Sequence, residues 1–151
     1  VNTDAAYVAG LIDGEGCIHI EKSKQTYRVR VTLGMTEPAL PLLEEMRGRW
    51  GGVLRQQRPE TDRWAAAWQW YVWGDVATSL LRHVLPYLRL KRQQAEIGLA
   101  VEATRDALPR RRNGDARWDE ASREACEALK QRMHRLNQKG PRALARSAEV
   151  A

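Results

Sequence analysis

Asp13 and Glu15 stand two residues apart at the end of an apolar segment, interleaved with Gly14 and Gly16. Carboxylates so placed point to metal chemistry. If residues 4–13 form a helix, both acids lie at the negative end of its dipole, where their charge is costly unless a cation compensates it. Hard carboxylate oxygens suit Mg²⁺. Glycine just past the last periodic residue supplies the left-handed backbone that closes a helix, so Gly14 and Gly16 predict where it stops.

The helix that must present these acids has two faces. At a period of 3.6, Ala6, Ala9, Gly10 and Asp13 share one side, and Val8, Leu11 and Ile12 share the other. The large residues suit an ordinary core, whereas the Ala and Gly stripe lets a second helix approach almost to backbone contact. Asn2 or Thr3 is placed to cap its start. Residues 8–16, VAGLIDGEG, resemble the signature of the LAGLIDADG homing endonucleases in register, with Gly14 and Glu15 as substitutions that family is expected to tolerate. The plain alternative is a short core helix ending in a glycine turn.

Length and composition set the frame. The 151 residues, 43% of them hydrophobic, suffice for one sizeable core and a single domain over residues 1–151. Its expected parts are a core over 4–104, a C-terminal helical extension over 105–140 and a loosely held tail over 141–151. No apolar run is long enough to span a membrane and the start shows no signal-peptide pattern, so a soluble intracellular protein is expected. Cys17 and Cys126 are distant and lack a CxxC partner, which argues against a zinc site or a disulfide framework. A net charge of +6 points to a polyanion as partner, and residues 105–151 hold much of it, with 12 Lys/Arg against 7 Asp/Glu.

Along the chain, alternation predicts strands over 17–24 and 27–34 joined by a polar turn near Gln25. A helix follows from about Glu37 and Pro38, capped by Thr36 and stopped by Gly51 and Gly52. Strands over 53–57 and 64–73 form a second hairpin, and helices are expected from a cap at Asp75, over 88–104 and over 118–136. Two antiparallel hairpins with helices on one face make an α+β fold whose other sheet face must meet something else. That face carries His19, Glu21, Ser23, Arg28, Arg30, Thr32, Arg55 and Gln57, with Gln69 and Tyr71 on the last strand. Arginine can bond guanine bidentately and glutamine adenine, so the set suits base readout in a major groove. An ordinary solvated sheet face is the competing account. Trp68, Trp70 and Val72 alternate with Gln69 and Tyr71 and are assigned to the core.

The resemblance covers most of residues 4–104 and carries further expectations. It implies the αββαββα core of the LAGLIDADG homing-endonuclease fold, here with added C-terminal helices: a saddle-shaped antiparallel sheet seated on double-stranded DNA, with the signature helices of two cores packed at its centre. One signature is present, which implies a homodimer with Ala6, Ala9, Gly10 and Asp13 at its interface and a long pseudo-palindromic target. Glu15 would then be catalytic, holding Mg²⁺ together with the carbonyl of Gly14 against the scissile phosphates. Mn²⁺ is an acceptable replacement, Ca²⁺ a non-cleaving one, and no small-molecule cofactor is implied. Asp13 is expected to serve in helix-end hydrogen bonding rather than as a ligand.

Residues 86–95, PYLRLKRQQA, resemble the stretch carrying the family's active-site lysine, which maps to Lys91. Its ammonium would polarise water and offset charge developing at the phosphate. Without the motif, Lys91 reads equally as a helix-surface phosphate contact or a solvated side chain. Arg89 and Arg92 would grip DNA backbone, as would Asn137, Gln138 and Lys139, where RLNQKG resembles a backbone-contacting turn of relatives. Arg110, Arg111 and Arg112 clamp phosphates or form a solvated basic loop. His19 either touches DNA or metal-bound water, or is a plain surface residue.

One departure stands out. Some single-motif relatives place a glutamine and an arginine at the start of the second helix, where this chain has GMTEPAL, with Met35, Thr36 and Ala39 and no arginine. The implied activity is site-specific, Mg²⁺-dependent double-strand DNA cleavage by a homodimer. The alternative is a non-cleaving relative that binds DNA as a regulator or structured RNA as an intron maturase. A small helical interaction protein is a third reading, which salt-dependent DNA affinity would exclude.

Overall fold

The computed structural model describes residues 2–138, so Lys139 and the expected tail over 141–151 lie outside the described residues. In chain order the elements are α1 (Thr3–Glu15), β1 (Gly16–Ser23), β2 (Thr26–Thr36), α2 (Leu40–Trp50), β3 (Val53–Arg58), β4 (Ala67–Trp73), α3 (Gly74–Val84), α4 (Arg92–Asp106) and α5 (Glu120–Asn137). Single 3-10 turns at Glu37–Ala39 and Leu85–Tyr87 lead into α2 and α4. The strands form one antiparallel sheet in the order β1-β2-β4-β3, so the two hairpins merge where β4 lies beside β2. The architecture is the α+β arrangement read from the sequence.

Alternation along the strands explains the layering. Ile18, Ile20, Val29, Val31, Leu33, Trp70 and Val72 are buried on one sheet face against Val8, Ile12, Leu43, Leu80, Leu81, Val84, Ala95 and Val101 of the helices. Adjacent strand residues project to the other face, so the core and the polar surface are two readings of one period. The β1–β2 turn holds two residues, Lys24 and Gln25, between the paired Ser23 and Thr26. Lys24 adopts a left-handed φ of 54°, as a two-residue hairpin loop requires.

α1 begins where Asn2 accepts a hydrogen bond from the Ala5 N–H at 3.1 Å. Its end corrects the sequence reading. Gly14 is helical, and Gly16 is extended at φ −86°, so no left-handed glycine closes the helix. The chain passes straight into β1, and Gly16 is needed for space instead: a Cβ there would lie 2.8 Å from both Cα and O of Ile12. Asp75 is likewise not a cap. α3 opens from Trp73 without a side-chain cap, and Asp75 pairs with Arg105.

Two later elements finish the sheet. β2 runs past the end of β4, whose register with it stops at Arg30↔Trp73, and the next inward N–H, that of Val29, donates to buried Glu102 at 2.7 Å. Burial pushes the Glu102 carboxyl up, opposed by that hydrogen bond and by Arg105 at 2.9 Å. α5 covers the β1 edge, with Cys126 and Met133 in the core and Asn137 donating to the Ile18 carbonyl at 2.8 Å. An edge strand left bare would invite pairing with another chain.

Candidate active site and nucleic-acid interface

Three elements meet at the C-terminal end of α1. Asp13 is half-buried, and its two oxygens accept from the backbone N–H groups of Arg89 at 2.8 Å and Lys91 at 2.9 Å. Lys91 answers from the other side: its Nζ donates to the Ile12 carbonyl at 2.9 Å and to the Asp13 carbonyl. The Ile12 carbonyl already accepts the Gly16 N–H, and the ammonium adds a charge-assisted bond to it and to the Asp13 carbonyl, favouring the negative dipole end. Part of the compensation that the sequence assigned to a metal is thus supplied by a lysine. Asp13 does the helix-end hydrogen bonding expected of it, but toward the 89–91 segment of its own chain.

Glu15 is different. It is exposed and enters no hydrogen bond or ion pair among the described residues. Beside it a cleft of about 380 Å³ is lined by Met35, Thr36, Ala39, Gln57, Trp68 and Gln69. Among the described residues its lining contains no arginine, in keeping with the sequence of the second-helix start, yet it contains two glutamines contributed by β3 and β4. Gln57 Nε2 donates to Gln69 Oε1 at 3.1 Å. Among the described residues no group of three or more His, Cys, Asp or Glu is gathered to hold a metal. The Glu15 carboxylate and the Gly14 carbonyl are hard oxygen donors of the type Mg²⁺ prefers, but they are too few for its six positions. They fit such an ion only if a second copy, phosphates and water complete the shell.

The outer sheet face carries the expected polar residues, and the register shows how they interlock. Glu21 sits opposite Arg28 and next to Arg30 across β1–β2. Its carboxylate accepts from Arg28 Nε at 2.9 Å and from Arg30. The Arg30 guanidinium stacks on the Tyr71 ring at 3.7 Å, and Arg28 lies over Trp73 at 5.2 Å. Arg55 approaches Tyr71 from the far side at 5.5 Å. Burial, reinforced by the charge of Arg30, holds His19 below the ordinary imidazole value against a weaker pull from Glu21, so its ring is neutral at pH 7.

Several expectations change here. Thr32 faces outward beside Tyr71 but is only 7% exposed, so it is not open to a base edge. Ala9 is fully buried in the chain's own core rather than lying on an open stripe, because the helix turns its Ala5, Val8, Ala9, Ile12 side inward. Ala6, Gly10 and Gly14 are the small residues left facing outward, and among the described residues a Cβ on either glycine would meet nothing within 4 Å. Asn137 is half-buried and spends one N–H of its amide on the Ile18 carbonyl of β1 at 2.8 Å. Gln138 follows α5, where its backbone N–H donates to the Arg135 carbonyl. Ser23 is exposed at the hairpin end, Arg89 is exposed, and Arg92 pairs with Glu96 at 3.1 Å.

The sequence reading missed two tryptophans. Trp73 ends β4 on the outer face, in ring contact with Tyr71 at 5.7 Å. Trp64, at the tip of the β3–β4 connection, is 55% exposed with Arg58 and Arg63 over its ring. The period of β4 was the available signal for Trp73, since it continues the Gln69, Tyr71 series. Trp64 had no sequence signal beyond its arginine neighbours.

No protein-family model matches the chain, and no curated protein does. Solved structures do. The homing endonuclease I-CvuI, in complex with its target in the presence of Ca, is 22% identical with a TM-score of 0.71, over 91% of this chain and 84% of that one. The archaeal intron-encoded homing endonuclease I-Vdi141I, complexed with DNA, is 15% identical with a TM-score of 0.63, over 93% and 87%. The LAGLIDADG meganuclease I-AabMI, bound to uncleaved DNA, is 20% identical with a TM-score of 0.62, over 83% of this chain and 43% of that one. The fold is that of the LAGLIDADG homing endonucleases.

Proposed function

We propose that this chain is a site-specific double-strand DNA endonuclease that acts as a homodimer and uses a divalent cation, Mg²⁺ in the first instance. One observation carries the reading. The end of α1 is fixed by the reciprocal Asp13 and Lys91 clamp, while Glu15, one step on, is exposed and uncommitted at the margin of an arginine-rich sheet face. A fold shared with DNA-bound homing endonucleases supports it.

Within this reading each group has a role. A bound divalent cation would activate water and stabilise the leaving oxygen. Glu15 and the Gly14 carbonyl would hold it, and a second copy would bring its own pair to the same place. The open Ala6, Gly10, Gly14 stripe supports such close helix packing, since none of the described residues crowds a Cβ at either glycine. A shallow groove lined by Ala6, Gly10, Asp13, Tyr87, Leu88 and Arg89 runs alongside it. Lys91 would place positive charge beside the phosphate, and the clamp fixes its position before substrate arrives. The outer face of the sheet would read base edges through Arg28, Arg30, Arg55, Gln57 and Gln69.

The non-cleaving alternative draws on the absence of arginine, among the described residues, from the cleft beside Glu15. Selection from a randomised duplex library separates the two. The endonuclease recovers a roughly palindromic cut site with Mg²⁺, binds it uncut with Ca²⁺, and as Glu15→Gln binds without cutting. A site enriched by binding but intact with Mg²⁺ and Mn²⁺ would remove the nuclease and leave a DNA-binding protein.

A further inference from the structure

The outer sheet face poses a problem of its own. Guanidinium groups that read guanine must present their N–H fork to the groove, yet Arg28 and Arg30 both spend donors on one carboxylate. Glu21 uses one oxygen for each, so the two arginines are held as a pair. Both also lie against aromatic rings, Arg30 on Tyr71 at 3.7 Å and Arg28 over Trp73 at 5.2 Å. The Arg30 side chain is 18% exposed, and its Nε is buried without a hydrogen-bond partner among the described residues. That orphan donor makes the resting position of Arg30 a compromise rather than a fully satisfied core contact. On this face Glu21 is the acid that balances these two arginines, and the Tyr27 to Glu127 contact lies on the other face of β2.

We infer, building on the DNA-binding reading above, that Glu21 is a specificity-determining residue: it withholds Arg28 and Arg30 from phosphates and releases them only to base edges that outbid it. A phosphate is offered by every sequence and can itself take the arginine fork bidentately, but beside the Glu21 carboxylate it meets a like charge. Guanine offers paired acceptors in the arginine fork's own geometry, and the freed Glu21 can accept from the amino group of a neighbouring cytosine. Non-specific affinity is thereby lowered more than specific affinity, which raises their ratio.

The test compares wild type, Glu21→Gln, and Glu21→Gln combined with Arg28→Ala and Arg30→Ala. Binding to the library-selected duplex and to a scrambled duplex is measured across a salt series without divalent cation, so that no strand is cut. Glu21→Gln is expected to bind the scrambled duplex more tightly, with a salt slope steeper by about one to two, roughly 0.9 for each arginine that gains a phosphate. The preference for the selected duplex should fall about tenfold or more. The triple variant should lose the extra slope, which a merely disturbed sheet would not do. An unchanged slope and preference in Glu21→Gln, with wild type still selective, overturns this inference and leaves the proposed function standing. A wild type that prefers no duplex overturns both.

Discussion

Replacing Asp13 by Asn tests whether the α1 clamp is what builds the site. The carboxylate accepts two backbone N–H bonds, from Arg89 at 2.8 Å and Lys91 at 2.9 Å, and an amide can keep only one of them. The displaced NH₂ would face a second donor. A hydrogen bond to a charged acceptor contributes about 1.5–3 kcal/mol. Against this, removing a negative charge from the C-terminal end of α1 relieves about 0.3–1 kcal/mol of unfavourable dipole interaction. The net loss is about 1–2 kcal/mol, or a fall in Tm of roughly 2–8 °C for a chain of this size. The functional loss should be larger. With the 89–91 backbone released, Lys91 no longer sits on the Ile12 carbonyl, and displacement of a catalytic group by about 1 Å can cost 10²-fold. Differential scanning calorimetry and single-turnover cleavage of the selected duplex read the two effects. A Tm that is unchanged or raised would mean that dipole repulsion outweighs the clamp, and cleavage at the wild-type rate would refute the claim that Asp13 positions Lys91.

Further outcomes follow from the same geometry. Gly16→Ala would set a Cβ 2.8 Å from Ile12 backbone atoms that cannot move aside, so we expect a loss of about 1–3 kcal/mol in chemical denaturation together with loss of cleavage. A stable, active Gly16→Ala would show that the α1–β1 junction is looser than described. Glu127 is held down to about 2, first by the Tyr27 hydroxyl at 2.6 Å, then by Gln131 and Lys22. A lowered carboxyl stabilises the fold above its ordinary value of 4.5, and that contribution is lost as pH falls toward about 2. The stability gap between wild type and Glu127→Gln in urea titrations should accordingly close across this window, and a gap that widens on acidification would contradict the assignment.

What the sequence determined by itself was whatever depends on period and on local rules. Alternation placed Trp70 and Val72 in the core and Gln69 and Tyr71 on the outer face, because side chains in a strand alternate whatever the strand pairs with. Asn2 was legible as a cap, and VAGLIDGEG was legible as a helix ending in acids. Helical period alone could not decide which of the two small-residue neighbours, Ala9 or Gly10, faces inward, since a rotation of one residue exchanges them. Packing decided it, by burying Ala5, Val8, Ala9 and Ile12. The partners of charged groups were equally out of reach. Lys91 and Asp13 at the end of α1 are 78 residues apart and Glu102 and Val29 are 73 apart, and only the closed fold brings each pair within hydrogen-bond distance. The pairing of Glu21 with Arg28 and Arg30 needed the register of a hairpin whose turn is Lys24 and Gln25, without the Asn-Gly that would have announced it. Spacing shows which residues share a face. Which of them neutralise one another depends on distances of a few ångströms, and those are set by tertiary contacts.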